Sequence, residues 1–572
     1  MTQTIPVEFE GATLQARPGE TLAATLIAHG VQDFRTTAGG QPRGVFCGMG
    51  VCQDCLVEVD GVANRRACMT KIVKPVTVRR GAHARPLQMP SATAGAGGAG
   101  TFPGVREPEL REPGLLVIGA GPGGLSAALF ARRAGVDVTV LDERSQAGGQ
   151  YYKQLGVSEQ GVLPADAQHR RGAALIAAAR EAGVEIVQDA LVWGAFEPKE
   201  FIATVRGQSV RFRPGACIVA TGAYERGWQV PGWTLPGVMT TGAAQTLWRT
   251  SRRLPGRRVL IAGNGPLNLQ LAAELLSGGA TVAAVVEAAP APGVASLDSL
   301  LTMGLAAPSL VAEGLGYQRT VKRHGVRIVN DTVIESIDKT AGGLSVTLAR
   351  VSGETLPQRI EVDVVCLGYG FEPANELLRA LGCVHDFDGR RRQLVTRRDD
   401  AGLTSIAGVY ALGDCTGLGG AKAALAEGVV VGAAVAGALG HPPSAGLLEE
   451  RTAAVKELGK QRRFQRALWN IYASPLNAPR ERCGDTLICR CEEVSFAQLE
   501  SALDEGLSTP GAIKRRTRIG MGRCQGRYCA PVLDEIVCER FGRSRDEMSG
   551  FAPRVPVKPV TIAELSGHGS DS

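Results

Sequence analysis

Eight of the fourteen cysteines in this 572-residue chain fall into two sets of four. The first set, Cys47, Cys52, Cys55 and Cys68, lies in GVFCGMGVCQDCLVEV and RRACMT, as Cys-x4-Cys-x2-Cys, twelve residues, then Cys. The second set, Cys489, Cys491, Cys524 and Cys529, lies in LICRCEEV and GMGRCQGRYCAP, as Cys-x-Cys, thirty-two residues, then Cys-x4-Cys. Four thiolates suit a [2Fe–2S] cluster or a tetrahedral zinc ion. Zinc sites usually pair their cysteines in two short CxxC-like units. Here three ligands of the first set crowd one glycine-rich loop, the spacing of plant-type [2Fe–2S] ligation. Gly48 and Gly50 leave that backbone free to wrap a cluster and aim N–H groups at its sulfurs. Around the last ligands run Lys514, Arg515, Arg516, Arg518, Arg523 and Arg527, with no acidic residue from 514 to 527. Such cations would stabilise the net negative charge of a thiolate-bound cluster and raise its reduction potential. The competing reading is a docking or solvated face.

Between the cysteine sets lies VIGAGPGGLSAALFARRAGVDVTVLDE, residues 117–143. This is a dinucleotide fingerprint. Gly119 makes the tight turn, Gly121 lets the backbone reach a pyrophosphate, and Gly124 allows close helix–strand packing. The helix that starts there presents unpaired N–H groups and a favourable dipole to the diphosphate. The second strand ends at Asp142–Glu143. By spacing Asp142 is preferred for the adenosine ribose, with Glu143 as runner-up. Gly148-Gly149-Gln150 follows, and IVATGAY brings Gly222. TSIAGVYALGDCTG, at 404–417, resembles the second FAD motif of two-dinucleotide-binding flavoproteins. That resemblance gives Asp414 the ribityl chain of FAD.

The central region is duplicated. VIGAGPGG at 117 returns as IAGNGPLN at 261, GVEIVQD at 183 as GVRIVND at 325, and IVATGAY at 218 as VVCLGYG at 364, offsets of 144, 142 and 146 residues. The second fingerprint keeps Gly263 and Gly265, but Asn268 replaces the third glycine, so looser packing is expected there. Its strand ends at Glu287 with no basic pair following, which disfavours NADP. NAD, a structurally bound adenine nucleotide and an empty site all remain open.

These motifs need a scaffold of α/β class. It is a Rossmann-like flavoprotein with two dinucleotide-binding domains, an N-terminal β-grasp ferredoxin-like domain and a small helical C-terminal [2Fe–2S] domain. The expected boundaries are 1–90 for the first domain and 91–113 for a flexible linker that includes SATAGAGGAGT. They are 114–231 and 366–440 for the FAD domain, 232–365 for the second nucleotide domain, 481–550 for the C-terminal domain, and 551–572 for a loosely ordered tail. A flexible linker of about twenty residues spans on the order of 25 Å, enough for the first domain to dock on the central body. Ser495 with Gln498 reads as a capping box, and Thr509–Pro510 as a helix start. The 74 glycines suit close backbone approaches to cofactors, and a net charge of +7 gives no reason to expect nucleic acid. The N-terminus lacks a secretory pattern. The run VVVGAAVAGALG at 429–440 reads as a buried helix, so no transmembrane segment is expected and the location is cytoplasmic, with peripheral attachment at the inner membrane face left open.

PGWTLPGVMTTGAAQTLW, at 231–248, together with the fingerprints, resembles the α-subunit family of heteromeric amine and imino-acid dehydrogenases. That family includes the larger, A-type component of opine oxidase, hydroxyproline and proline dehydrogenase α, the B-type component of hydrogen cyanide synthase and the middle of sarcosine oxidase α. The resemblance covers roughly 111–550. Residues 1–90 resemble the small ferredoxin component of such systems, and the C-terminal cysteines resemble a bacterioferritin-associated ferredoxin-like domain. The family implies a β subunit of the glycine- or D-amino-acid-oxidase type that oxidises the amine, leaving room for an FMN at the interface between the two proteins. This chain would then pass electrons through FAD and two [2Fe–2S] clusters to a quinone or other acceptor. With the cysteine sets at opposite ends, the flavin is expected between the clusters.

The sequence shows no acid–base dyad or nucleophile. The seven histidines stand beside no motif, and His324 reads as a helix C-cap. No catalytic residue is therefore assigned. Cys217, Cys366, Cys383 and Cys415 are single and form no CxxC, so dithiol reductase chemistry is not expected; Cys217, Cys366 and Cys415 read as packing residues. The alternative function is a self-sufficient NADH:acceptor oxidoreductase of the ferredoxin-reductase type.

Overall fold

Runs of apolar residues ending in glycine turns build two parallel sheets at the centre of the computed structural model, which describes residues 4–81, 107–156, 166–197, 199–473 and 484–566. The SATAGAGGAGT linker, residues 82–90 of the first domain, 481–483, and 567–572 of the tail lie outside the described residues.

The first central sheet has the order Glu185–Val187, Val138–Leu141, Leu115–Ile118, Ala216–Val219, Val409–Ala411, all parallel. The second runs Ile328–Val329, Thr281–Glu287, Arg258–Gly263, Val364–Gly368, Val238–Thr240, also parallel. Four strands of each correspond in order, so the sequence duplication is a structural one. The inner strands of each sheet are apolar apart from Thr139 and the strand-end residues Arg258, Thr281 and Glu287, as suits sheets covered on both faces. The chain crosses between the halves twice, and the two crossings pair as antiparallel strands Ala223–Glu225 and Phe371–Pro373.

Two expected boundaries shift. The closing strand of the second half reaches Gly368, so the return to the flavin half falls after 368 rather than at 366. Glu109–Arg111, placed in the linker by composition, pairs in parallel with the edge strand Gln208–Phe212. A free sheet edge offers N–H and C=O groups that a short segment satisfies regardless of its charge.

The N-terminal domain is a five-stranded mixed sheet. Ile5–Phe9 pairs with Ala12–Ala16 on one side and, in parallel, with Val76–Arg80 on the other. Helix Leu22–Ala28, capped by Thr21, packs six buried residues against it. The C-terminal domain is a short hairpin with helices Phe496–Asp504, Pro510–Thr517 and Ala530–Arg540. The Ser495–Gln498 capping box and the Thr509 cap before Pro510 both form.

The tail departs from its composition. Val557 is buried and donates its N–H to the Trp193 carbonyl, and Arg527 donates to the Val557 carbonyl. Thr561 and Glu564 close a capping box on Ile562–Leu565. Apolar and charged anchors among the prolines hold this segment on the flavin half.

Helix Ala421–Ala438 is long and apolar enough to cross a bilayer, yet 56% of that window is buried in the fold. Its glycines explain the burial. A Cβ on Gly428 would lie 2.4 Å from the Gly123 carbonyl, and one on Gly432 would lie 2.7 Å from that of Ala127. The helix therefore rests directly on Pro122–Arg133, the helix that begins at the first fingerprint. Gly428→Ala should force these helices apart and lower stability by about 1–3 kcal/mol. A thermal melt of the flavin-loaded protein checks this, and an unchanged melting temperature contradicts the close approach.

Candidate cofactor and cluster sites

The first fingerprint has the geometry a dinucleotide needs. Gly119 has φ +112°, and a Cβ there would meet the Ala220 carbonyl at 2.4 Å. A Cβ on Gly124 would lie 2.0 Å from the Gly119 carbonyl, whereas one on Gly121 meets nothing within 4 Å. Two glycines thus exist for packing and one for open space where a ligand's phosphates would sit. Gly121 caps the Pro122–Arg133 helix without a side-chain partner. Gly149 approaches so closely that its Cβ would lie 2.8 Å from the Gly121 Cα, and half-buried Gln150 follows it. Gly222, with φ +75°, also faces open space. Beside this cradle Arg144 Nη2 is buried without a hydrogen-bond partner among the described residues. An anionic dinucleotide fits these features.

The structure gives the two ribose candidates different partners. Asp142 accepts from Ala120 N at 2.7 Å and Arg144 N at 2.8 Å, so one oxygen braces the glycine loop and the other the turn that follows its own strand. Burial pushes this carboxyl above its ordinary value. Glu143 instead pairs with Lys558 of the tail. Burial acts to raise it, but the charges of Lys558 and Arg66 outweigh burial and hold it at about 2. Asp414 lies in a short helical turn where Oδ1 accepts from Gly419 N and Gly420 N at 2.9 and 2.8 Å, and burial raises its carboxyl. It stands at the start of the Ala421–Ala438 helix, where the resemblance puts the ribityl chain.

The second cradle differs. Gly265 leaves open space and caps helix Pro266–Ser277, while a Cβ on Gly263 would lie 2.1 Å from the Gly368 carbonyl. Asn268 is not loosely packed. It is 1% exposed, accepts from Thr241 Oγ1 at 3.0 Å and donates to the Gly368 carbonyl at 3.4 Å, so its amide bonds the sheet end where a glycine would merely fit. Glu287 accepts from Gly265 N and Ala289 N, one on each oxygen, at 3.1 and 3.0 Å. Burial pushes it up to about 7. Asn264 donates to the carbonyl of Tyr472, at the end of helix Ala445–Ile471, which therefore lies over the loop.

The first four cysteines come together in two pairs. Cys47 interacts with Cys52, and Cys55 with Cys68. Met49 N and Cys52 N point at Cys47 Sγ from 3.5 and 3.4 Å. The last four also converge. Cys491 Sγ lies 3.9 Å from that of Cys489 and 3.6 Å from that of Cys524, and Cys529 contacts Cys489. The first set thus forms two pairs and the second a continuous chain of contacts, and either arrangement brings four thiols to one cofactor-sized site.

The cysteine sets lie side by side rather than on opposite flanks of the flavin cradle. Cys47, Cys52 and Cys524 share one apolar cluster with Phe46, Trp233 and Tyr528. Phe46 meets Tyr528 edge-on at 5.2 Å and Trp233 at 5.7 Å. Arg490, between ligands Cys489 and Cys491, donates to Asp54 Oδ2 at 2.7 Å, and Asp54 adjoins ligand Cys55. Glu493 reaches back to Thr37 Oγ1 at 2.6 Å and Gly39 N at 2.9 Å. The basic set is largely committed to structure. Arg516 pairs with Glu505, Arg518 with Glu492 and Arg527 with Glu376, while Arg523 donates to Asn64.

Sequence reading missed Asp54, Arg490, Lys153 and Glu225. Each follows or sits within a motif, which was the only available signal. Lys153 donates to Gln245 Oε1 at 2.9 Å, and burial pulls it down to about 7. Glu225 accepts from Gly242 N at 2.8 Å, and burial pushes it up to about 7. Both are buried charges set between the halves. His324 caps its helix as expected, and Cys415 is packed with its Sγ on the Val219 and Leu412 carbonyls.

Two dinucleotide-type sheets, an anion-ready glycine cradle and paired cysteines define a flavin and iron–sulfur oxidoreductase. A family model described as pyridine nucleotide-disulphide oxidoreductase matches residues 113–428, and the chain belongs to that family. A 2Fe-2S iron-sulfur cluster binding domain matches 2–83 and a BFD-like [2Fe-2S] binding domain matches 487–539. The chain is 34% identical over 470 residues to the A-type component of opine oxidase from Agrobacterium tumefaciens (strain Ach5), covering 79% of this chain and 91% of that one. It is 30% identical over 466 residues to the HcnB component of hydrogen cyanide synthase from Pseudomonas protegens, covering 78% and 96%. It is 26% identical over 598 residues to the alpha component of sarcosine oxidase from Corynebacterium sp. (strain P-1), covering 99% of this chain and 56% of that one. The fold is shared with L-proline dehydrogenase from P. horikoshii, with TM-score 0.69 at 20% identity over 98% of this chain and 97% of that one.

Gly121→Ala should leave the fold intact but release flavin, because its Cβ enters ligand space. Gly124→Ala should instead lower the melting temperature of the flavin-free protein. Flavin absorbance and melts of both variants test the pair, and equal behaviour contradicts the distinct roles. Glu287 supplies a pH signature. A carboxyl raised to about 7 contributes stability that is present below its unfolded value near 4.5 and lost as pH rises through about 7. The stability difference between wild type and Glu287→Gln should therefore change by on the order of 2–3 kcal/mol between about pH 5 and pH 8. A pH-independent difference in denaturant unfolding would show that Glu287 stays ionised.

Proposed function

We propose that this chain is the electron-transfer α subunit of a heteromeric FAD-dependent dehydrogenase acting on a secondary amine, opine, imino acid or amino acid. The partner is a β flavoprotein of the glycine- or D-amino-acid-oxidase type, and the acceptor a quinone or similar carrier, with the complex working in the cytoplasm or at the inner membrane face. The observation that carries this reading is the packing of one flavin cradle and two four-cysteine sites into a single unit. FAD, when bound, takes up two electrons and can release them singly, the step size of iron–sulfur clusters. The chain's own residues position and shield these groups. Gly121 and Gly149 shape the phosphate cradle, Glu143 stays charged for the ribose, and Phe46, Trp233 and Tyr528 exclude water around the cysteines.

Two further features support a partner. The relatives are named as subunits of opine oxidase, hydrogen cyanide synthase and sarcosine oxidase. Helix Leu297–Ala306 leaves Leu297, Leu301 and Leu305 exposed at successive turns, by 54, 66 and 87%. A contiguous apolar stripe of this kind suits a protein surface that covers it.

Purified protein should carry FAD and two irons for each four-cysteine set, and should reduce an acceptor with amine only when co-expressed with its β flavoprotein. Amine oxidation by the isolated chain would refute the two-protein reading. The open space at Gly265 favours the NADH:acceptor alternative, against the backbone-held Glu287. Anaerobic mixing with NADH should leave the flavin absorbance unbleached, and rapid bleaching would establish the alternative.

A further inference from the structure

Residues from opposite ends of the chain meet in one buried junction. Arg490 is flanked by ligands Cys489 and Cys491, and Asp54 stands beside ligand Cys55. Their side chains are 4 and 1% exposed, with Nε to Oδ2 at 2.7 Å. A second Arg490 nitrogen donates to the Trp233 carbonyl at 2.7 Å. The guanidinium lies 3.9 Å from the Phe46 ring centre and 4.7 Å from that of Trp233. Phe46 precedes ligand Cys47, and Tyr528 precedes ligand Cys529, so the 5.2 Å ring contact joins the same two loops again. The Tyr528 hydroxyl is buried and has no hydrogen-bond partner among the described residues.

We propose that Arg490 is a positioning residue that clamps the two ligand loops together, so that the clusters they hold form one interacting pair instead of two independent carriers. This rests on the reading of both cysteine sets as [2Fe–2S] sites. Asp54 anchors one end of the clamp and the Trp233 carbonyl the other, with Phe46 and Trp233 stacking the planar cation between them. A lysine cannot reproduce this, because its point charge lacks the fork and the flat face.

The test is electron paramagnetic resonance on the fully reduced, full-length protein, with iron and zinc measured on the same sample. In wild type the N-terminal signal should relax faster than in Cys491→Ala, where the second cluster is lost, so its half-saturation power should fall several-fold in that variant. Arg490→Met and Arg490→Lys, each with iron content retained, should weaken the interaction toward that limit. Arg490→Met should also lower the potential of at least one cluster, because it removes a cation. A tenfold change in the one-electron equilibrium would read as about 59 mV. Removing one partner of a buried pair can unfold a domain. The double variant Asp54→Asn with Arg490→Gln keeps a neutral hydrogen bond at the junction, and should show the same weakening. Wild-type saturation equal to that of Cys491→Ala, with iron at both sites, would overturn the paired clusters. Unchanged interaction in the iron-replete Arg490 and double variants would overturn the clamp. Zinc, or no iron, would instead defeat the cluster reading on which both depend.

Discussion

The buried ion pair of Asp54 with Arg490 joins the N- and C-terminal domains across 436 residues, beside a second pair of Arg43 with Glu493. Burying two charges costs several kcal/mol per ion, and their attraction alone seldom repays it. The remaining polar atoms here are also served. Asp54 takes Arg35 on its other oxygen at 2.9 Å, and Arg490 has the Trp233 carbonyl and two aromatic faces. Burial acts to raise the Asp54 carboxyl, but Arg490, Arg35 and Arg43 outweigh it and hold the group below its ordinary value. Such a pair adds little net stability but demands a particular geometry. It sets the register in which two small domains meet, and the contacts of Glu493 and Trp233 follow from that register.

The duplicated halves have diverged by the fate of one acidic residue. In the first half the strand ends in two carboxylates, so Asp142 braces the glycine loop while Glu143 pairs with Lys558 of the tail. In the second half Glu287 must brace the loop itself, and Ala288 follows it where the first half has a second carboxylate. The loss of the third glycine at Asn268 is compensated by side-chain hydrogen bonds, so the sheet and helix remain closely packed there.

Local patterns carried much of this architecture. The glycine fingerprint, the cysteine spacings, the Ser495–Gln498 box and the 144-residue repeat are written in short stretches of sequence, which express such constraints directly. Spacing alone does not separate Asp142 from Glu143, because both lie at the strand end and they differ only in their folded partners. Asp54 and Arg490 were illegible for another reason. A charged residue beside a ligand is ordinary, and its partner becomes visible only when the chain is folded. The tail misled by composition, since one buried valine and one lysine outweigh many small residues around them.

Chain order is therefore a poor guide to the order of redox sites. The N-terminal domain docks by its ligand loop itself. A Cβ on Gly48 would lie 2.8 Å from the Cα of Ala243, in the helix that follows the first crossing between the halves. The C-terminal domain reaches the same region through Gln229, which donates to the Tyr528 carbonyl. Both ends of the chain thus converge on residues 222–243, just beyond the glycine that leaves the flavin cradle. The cradle's sugar end is enclosed in the same way, since Glu143 feels Arg66 from the first domain and Lys558 from the tail. A site assembled from both termini is complete only when the whole chain has folded. That makes the junction, and not the linker, the element that decides how the three cofactor sites are spaced.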